Sequence, residues 1–148
     1  MAEKFDALKL DNQLCFPLYV CSKEIVRKYK PFLDEIDLTY TQYISMMAMW
    51  EHEEVSVKEL GEYLFLDSGT LTPVLKTLEK KGLIFRKRSS DDERMLVVSL
   101  SERGRALKEE ALGVPGKIRE CISLDEKDAA DLYRILHKMM KDISTEEK

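Results

Sequence analysis

The chain has 148 residues, which is enough for one domain with a substantial hydrophobic core. Charged residues make up 35% of it and the net charge is −4, which excludes a wholly basic nucleic-acid coat but allows a local basic surface. No run of about 18 apolar residues occurs, so we expect no membrane span. The start of the chain lacks the apolar stretch of a signal peptide, so we expect a cytoplasmic protein.

The first predicted helix runs from about Asn12 to Leu33, with Asp11 or Asn12 as its N-cap. Cys15 would then lie in the first turn, where unpaired N–H groups and the positive end of the helix dipole favour a thiolate. Cys21 falls within the apolar stripe of the helix, so we expect it to be buried. That stripe consists of Leu14, Leu18, Cys21, Ile25, Tyr29, Phe32 and Leu33.

Two capping boxes predict the next two helices. The sequence Thr39-Tyr-Thr-Gln42 opens a helix over about 41–50, and Ser56-Val-Lys-Glu59 opens a short helix that ends near residue 64. A turn after the short helix leads into a longer one. A short helix, a turn and a longer helix are the parts of a helix-turn-helix.

The longer helix is predicted between Asp67 and Gly82, where glycine suits the helix C-terminus. Pro73 has no N–H and would clash inside a helix that starts at Asp67, so the helix either begins nearer Thr70 or bends. Its apolar stripe consists of Leu71, Val74, Leu75 and Leu78. Its opposite face is small, hydroxylic and basic, and consists of Gly69, Thr72, Pro73, Lys76, Thr77 and Lys80.

Two strand-like runs, Leu83–Lys87 and Met95–Leu100, enclose a charged loop from Arg88 to Arg94. An ordinary surface helix and hairpin would share this composition. The order of elements and six basic residues against one acid from Lys76 to Arg88 favour a winged helix-turn-helix that binds DNA. The candidate DNA-binding residues are Ser68, Thr70, Thr72, Pro73, Lys76, Arg86, Arg88, Asp92 and Arg94.

A helix is predicted from Glu102 to about Ala111, and a last helix, capped by Ser123 and Glu126, runs to about Ile143. The apolar stripe of the last helix is broad and needs a partner, either the first helix or a second subunit. We therefore predict a mainly α fold with a small β-hairpin wing. The single domain 1–148 would hold a DNA-binding part over about 40–100 and dimerisation helices over about 11–35 and 101–144.

The cysteines and histidines show no pattern typical of a metal site. Cys15, Cys21 and Cys121 form no CxxC or Cys/His spacing, and His52 and His137 lack zinc-ligand spacing. We expect no metal and no cofactor.

Three segments resemble the MarR family of dimeric winged-helix repressors, and within it the organic hydroperoxide-sensing (OhrR) subgroup. Asp11–Tyr19 is similar to the sensing-cysteine segment of that subgroup, and Leu66–Pro73 is similar to its reading helix. Arg86–Arg94 resembles the wing of the whole family. The resemblance covers nearly the full chain and implies a homodimeric repressor, not an enzyme, on a pseudo-palindromic operator.

By this resemblance, an organic hydroperoxide oxidises Cys15 to a sulfenic acid and the operator is released. Tyr29 and Tyr40 would hold the thiolate, and Phe16 and Tyr19 would line an apolar entrance. Tyr29 is about 21 Å along a continuous helix from Cys15, at ~1.5 Å per residue, so the contact requires the partner subunit.

Three questions stay open at this point. Cys121 is either a second cysteine that forms an intersubunit disulfide with Cys15 or an inert thiol, in which case a small thiol would cap the sulfenic acid. The repressor could instead be gated by a phenolic ligand, with Cys15 incidental. A thiol peroxidase built on Cys15 is disfavoured, because the sequence shows no thioredoxin-like order of strands.

Overall fold

The computed structural model describes residues 4–146 of the chain. It confirms a mainly helical fold with a small sheet. The helices are α1 Cys15–Asp34, α2 Tyr40–His52, α3 Val57–Leu64, α4 Ser68–Lys80, α5 Glu102–Ala111, α6 Val114–Glu120 and α7 Glu126–Glu146. The strands are β1 Glu54–Ser56, β2 Ile84–Arg88 and β3 Leu96–Leu100, and two 3-10 turns, Asp6–Leu8 and Leu10–Asn12, precede α1.

The sheet contains one strand more than the sequence predicted. Its order is β1-β3-β2 with both pairings antiparallel, so β1 lies along the side of β3 that the wing hairpin leaves open. Val55, the middle residue of β1, is buried and stands opposite Val98. A strand of three residues is too short to show alternation of apolar and polar side chains, so β1 carries no periodic signal.

The start of α1 differs from the prediction in its cap. Leu14 occupies the N-cap position with helical backbone angles and makes no side-chain cap hydrogen bond, so the assignment of Asp11 or Asn12 was wrong. The Asn12 side chain instead donates from Nδ2 to the Asp6 carbonyl at 2.7 Å. Folding of the preceding 3-10 turns therefore uses the group that the sequence suggested as a cap.

Both predicted capping boxes lie at helix starts. Thr39 Oγ1 accepts the Gln42 N–H at 3.3 Å while Gln42 Oε1 accepts the Thr39 N–H at 3.1 Å, which confirms the first box. Ser56 Oγ accepts the Glu59 N–H at 3.0 Å, but its hydroxyl donates to the Glu59 carboxylate at 3.0 Å. The second box is thus present in one direction only, which is enough to start α3.

Helix α4 begins earlier than a proline at residue 73 suggested. Asp67 is its N-cap and accepts the Thr70 N–H at 2.7 Å, so the helix starts at Ser68 and continues through Pro73. The alternative start nearer Thr70 was wrong. The predicted stop is confirmed, because Gly82 has a φ of +78° and its N–H binds the Glu79 carbonyl at 2.9 Å.

The core lies where α4 packs against α2, α3 and the sheet. Its fully buried side chains are Leu33, Met46, Met49, Leu60, Leu71, Leu75, Leu78, Ile84 and Val98. A long-range hydrogen bond of 2.8 Å from Trp50 Nε1 to the Gly104 carbonyl ties α2 to α5. Helix α4, the reading helix of the predicted helix-turn-helix, is therefore packed against apolar surface on three sides.

Helix α7 has a different environment from the rest of the fold. It makes no extensive contact with any other element within residues 4–146, and its predicted apolar stripe faces solvent in the single chain. Its N-cap is the Asp125 carboxylate, which accepts the Asp128 N–H at 2.8 Å, so the assignment of Ser123 was wrong. The exposed members of the stripe are Leu132, Ile135, Met139, Met140 and Ile143.

The first half of α1 is similarly uncovered. Cys21 is exposed, so the expectation that it is buried was wrong for the single chain.

Across the part of the chain that is described, no helix is both long and apolar enough to cross a membrane. Within the same residues, no three His, Cys, Asp or Glu side chains are grouped so that they could hold a metal ion.

Candidate redox site and nucleic-acid interface

Cys15 is the first residue of α1 and is exposed. Because Leu14 provides no side-chain cap, no side chain from that position occupies the N–H groups of the first turn. Phe16 and Tyr19, which follow the thiol on α1, are 40% and 62% exposed, and their role as an apolar entrance stays a prediction. The thiol is therefore accessible to a small oxidant.

Three tyrosines form a cluster near the other end of α1. The ring centroids of Tyr29 and Tyr40 are 5.0 Å apart, so the two predicted phenols do come together. Tyr43 completes the cluster at 5.8 Å from Tyr29 and 6.4 Å from Tyr40. The sequence analysis missed Tyr43, although its position three residues after Tyr40 on α2 placed it on the same helix face.

The environment of this cluster keeps the phenols protonated. Burial, and then the neighbouring Tyr40 and Tyr43, raise the pKa of Tyr29 to about 12. Burial also raises the pKa of Tyr40, and burial followed by Tyr40 raises the pKa of Tyr43. A phenol that keeps its proton can donate a hydrogen bond to a thiolate.

Cys15 and the tyrosine cluster of one chain cannot meet. Fourteen residues of continuous helix separate Cys15 from Tyr29, which corresponds to about 21 Å at ~1.5 Å per residue. Cys121 is exposed at the end of α6, and Lys117 of α6 pairs with Glu35 beyond the C-terminus of α1 at 3.2 Å. The role of Cys121 as a second redox cysteine stays a prediction.

The outer face of α4 presents most of the predicted DNA-binding residues. Ser68, Thr70, Pro73 and Lys76 are exposed, and Thr72 is half-buried. The Asp67 side chain stabilises the start of this helix. The hydrogen bond from the Thr70 N–H lowers the pKa of the Asp67 carboxyl, which stays ionised at the positive end of the helix. The face is small, hydroxylic and basic, as the major groove requires.

The wing is folded by its own charged side chains. Asp92 Oδ1 accepts the Arg94 N–H at 3.0 Å and lies 3.7 Å from Arg94 Nε, while the Arg94 side chain is 96% exposed. Arg88 is also exposed, and its Nη1 donates to the Glu93 carbonyl at 3.2 Å. Asp92 thus shapes the turn that projects Arg94, although it adds a negative charge to the wing.

Arg86 is placed differently from the other predicted DNA ligands. Its Nη2 donates to Glu79 Oε1 at 3.0 Å, its N–H donates to Glu79 Oε2 at 3.2 Å, and its side chain is only 21% exposed. These bonds hold the pKa of Glu79 below its usual value. The Arg86 guanidinium thus joins β2 to α4, and the assignment of Arg86 to DNA contact stays a prediction.

Comparison with known proteins shows to which family this fold and sequence belong. Residues 27–111 match the family described as transcriptional regulator SarA/Rot. The chain is 50% identical over 135 residues to the organic hydroperoxide resistance transcriptional regulator of Bacillus subtilis (strain 168), covering 91% of this chain and 90% of that protein. The chain belongs to the MarR family of winged-helix transcriptional regulators. The resemblance inferred from the sequence, including the subgroup, is confirmed.

Solved structures of AbfR, a protein of Staphylococcus epidermidis, match this MarR-family chain along almost its whole length. Reduced AbfR bound to DNA matches with a TM-score of 0.80 at 28% identity, covering 99% of this chain and 100% of that chain. Disulfide-formed AbfR matches with a TM-score of 0.66 at 31% identity, covering 95% and 96%. The chain is thus a DNA-binding regulator rather than an enzyme.

Proposed function

We propose that this MarR-family regulator is a dimeric repressor that senses organic hydroperoxides by oxidation of Cys15 and then releases its operator. The observation that supports it best is the exposed thiol at the start of α1 in a chain that also preassembles two phenol donors. Because the two parts of one chain lie about 21 Å apart, a second copy is needed to complete the site.

The proposed chemistry is a two-electron oxidation of Cys15. The thiolate attacks one oxygen of the hydroperoxide, the O–O bond breaks, and the products are a cysteine sulfenic acid and an alkoxide that takes up a proton to become an alcohol. Tyr29 and Tyr40 of the partner subunit would donate hydrogen bonds to the thiolate before the reaction. Phe16 and Tyr19 would favour oxidants with an apolar substituent.

The proposed release is mechanical. In a two-fold symmetric dimer the two α4 helices must lie about 34–36 Å apart to enter successive major grooves of a pseudo-palindromic operator. Oxidation replaces the thiolate that the phenols hold with a larger, neutral group. A rotation of the protomers that follows this change removes the required spacing.

The test of this proposal is the replacement of Cys15 by serine, with Cys21→Ser, at the second exposed thiol of α1, as the control. We expect Cys15→Ser to bind operator DNA like the wild type and to stay bound after addition of cumene hydroperoxide. Cys21→Ser should be released like the wild type. Fluorescence anisotropy of labelled operator measures both properties, and normal release of Cys15→Ser would refute the proposal.

The same oxidised samples address the proposed part of Cys121 on a non-reducing gel. A band at dimer mass that disappears in Cys121→Ser identifies an intersubunit disulfide. A wild-type sample that stays at monomer mass while the operator is released excludes that disulfide, and a mass increase of the monomer after addition of a small thiol then identifies capping.

Arg94 and Arg86 should have different effects when each is replaced by alanine. We expect Arg94→Ala to weaken binding to every DNA sequence about tenfold and to reduce the slope of log K against log salt by about one, because an exposed phosphate ligand is lost. Arg86→Ala should lower the thermal midpoint, because the link between β2 and α4 is lost. Equal salt slopes for wild type and Arg94→Ala would contradict this assignment.

A further inference from the structure

Lys81 joins two parts of the molecule that are distant in sequence. It follows the last residue of α4, and its Nζ donates to Gln42 Oε1 at 3.2 Å and to the carbonyl of Asp37. The same ammonium lies 3.6 Å from Asp37 Oδ2. The end of the reading helix is therefore attached to the corner between α1 and α2 by hydrogen bonds to a charged donor, which are the stronger kind.

The acceptors on the corner are held in fixed positions. Gln42 is only 7% exposed, and its Oε1 also accepts the Thr39 N–H of the capping box. Asp37 has a φ of +53°, in the left-handed region that few non-glycine residues adopt. Neither acceptor can follow an independent movement of Lys81 without losing a local contact.

Tyr40 connects this corner to the proposed redox site. It is the first residue of α2 and lies inside the capping box formed by Thr39 and Gln42, while its ring is 5.0 Å from that of Tyr29. A displacement of Tyr40 shifts the start of α2 and, with it, the amide oxygen that Lys81 binds. A contiguous chain of contacts thus runs from the phenols to the end of α4.

We propose that Lys81 is a positioning residue that transmits the state of the tyrosine cluster to the reading helix. This inference rests on the proposed function, because it requires that oxidation changes what Tyr29 and Tyr40 contact. Lys81 then moves the C-terminal end of α4 together with the corner, which changes the angle at which the helix enters the groove.

Other contacts should keep α4 folded when Lys81 is replaced. Ser101 Oγ donates to the Gly82 carbonyl at 2.6 Å, and Arg103 Nη1 donates to the Lys81 carbonyl at 2.9 Å. Both bonds tie the end of α4 to the start of α5 and do not use the Lys81 side chain. Loss of that side chain therefore detaches α4 from the corner without removing its C-terminal anchors.

Lys80 provides a matched control for charge. It is exposed at the last position of α4, and among the residues that the structure describes its side chain makes no hydrogen bond or ion pair. Lys80→Met and Lys81→Met each remove one positive charge from the same end of the helix. Only Lys81→Met removes the link to Gln42 and Asp37.

The experiment measures the operator dissociation constant of each full-length variant before and after treatment with cumene hydroperoxide. The quantity compared is the constant after oxidation divided by the constant before it. We expect the wild type and Lys80→Met to show the same ratio, and Lys81→Met to show a ratio at least about fivefold smaller, the lower end of typical coupling between sites. Lys81→Arg, which keeps a charged donor, should recover much of the wild-type ratio.

Each other result identifies a different failure. An unchanged ratio in Lys81→Met, while the wild type is released, would overturn the role of Lys81 and leave the proposed function intact. An equal decrease of the ratio in Lys80→Met would assign the effect to the lost charge, and this result would also overturn the role of Lys81. A wild-type protein that is not released at all would refute the proposed function and, with it, this inference.

Discussion

Replacement of Leu132 by aspartate is expected to abolish tight operator binding. Leu132 is the first residue of the apolar stripe of α7, which contacts little else in its own chain and is exposed there. In a two-fold symmetric dimer the substitution would place two unpaired carboxylates in the interface, each at a cost of several kcal/mol. The dimer dissociation constant should rise by more than about 1,000-fold, which corresponds to about 4 kcal/mol.

The control for this prediction is Ala130→Asp. Residue 130 is also exposed on α7, but at 100° per residue it points away from the stripe, so the same charge is added on the polar face. Sedimentation velocity measures the dimer, and anisotropy with a full operator measures binding. If Leu132→Asp sediments as a dimer at low micromolar concentration, the α7 stripe is not the dimer interface.

Replacement of Gly104 by alanine should strongly destabilise the fold. A Cβ at this position of α5 would lie 2.1 Å from the carbonyl oxygen of Leu83 and 3.1 Å from its carbonyl carbon, and both atoms belong to the backbone. Relief of this overlap would also disturb the 2.8 Å hydrogen bond from Trp50 Nε1 to the Gly104 carbonyl. We expect a loss of ~3 kcal/mol in the free energy of unfolding, at the upper end of overpacking effects.

Gly116 is the matched control, since it also lies in a helix but a Cβ there would meet no atom within 4 Å. Gly116→Ala should leave the stability unchanged or raise it by up to about 1 kcal/mol through helix propensity. Urea denaturation at one fixed protein concentration compares the variants, because the stability of a dimer depends on concentration. A Gly104→Ala protein as stable as Gly116→Ala would show that α5 and Leu83 can separate freely.

Signals that act over a few residues predicted the fold well. The Thr39 box, the Gly82 stop and the apolar periodicity of α4 depend on contacts within one helical turn, so their residue types are readable in order along the chain. The prediction of the α1 cap was wrong because the Asn12 side chain donates a hydrogen bond to the Asp6 carbonyl of the preceding 3-10 turn. Strand β1 was not predicted, because three residues are too few to show a period of apolar and polar side chains.

The candidate site was predicted only in part, because some of it depends on tertiary contacts. The sequence could not distinguish Arg86 from Arg94, since both are basic residues of the wing, and only the approach of Glu79 to Arg86 gives them different surroundings. Tyr43 differs, because its spacing of three residues from Tyr40 was readable in the sequence and was missed. Lys81 was one lysine among several until the packing of α4 placed it beside Gln42.

The shielding of the tyrosine cluster has a consequence for the cell. With its pKa at about 12, Tyr29 carries a negative charge in only about one molecule in 100,000 at neutral pH. Acidification or alkalinisation of the surroundings by one unit therefore leaves its hydroxyl group as a donor. The donor side of the proposed hydrogen bond between this phenol and the thiolate is therefore insensitive to such a change.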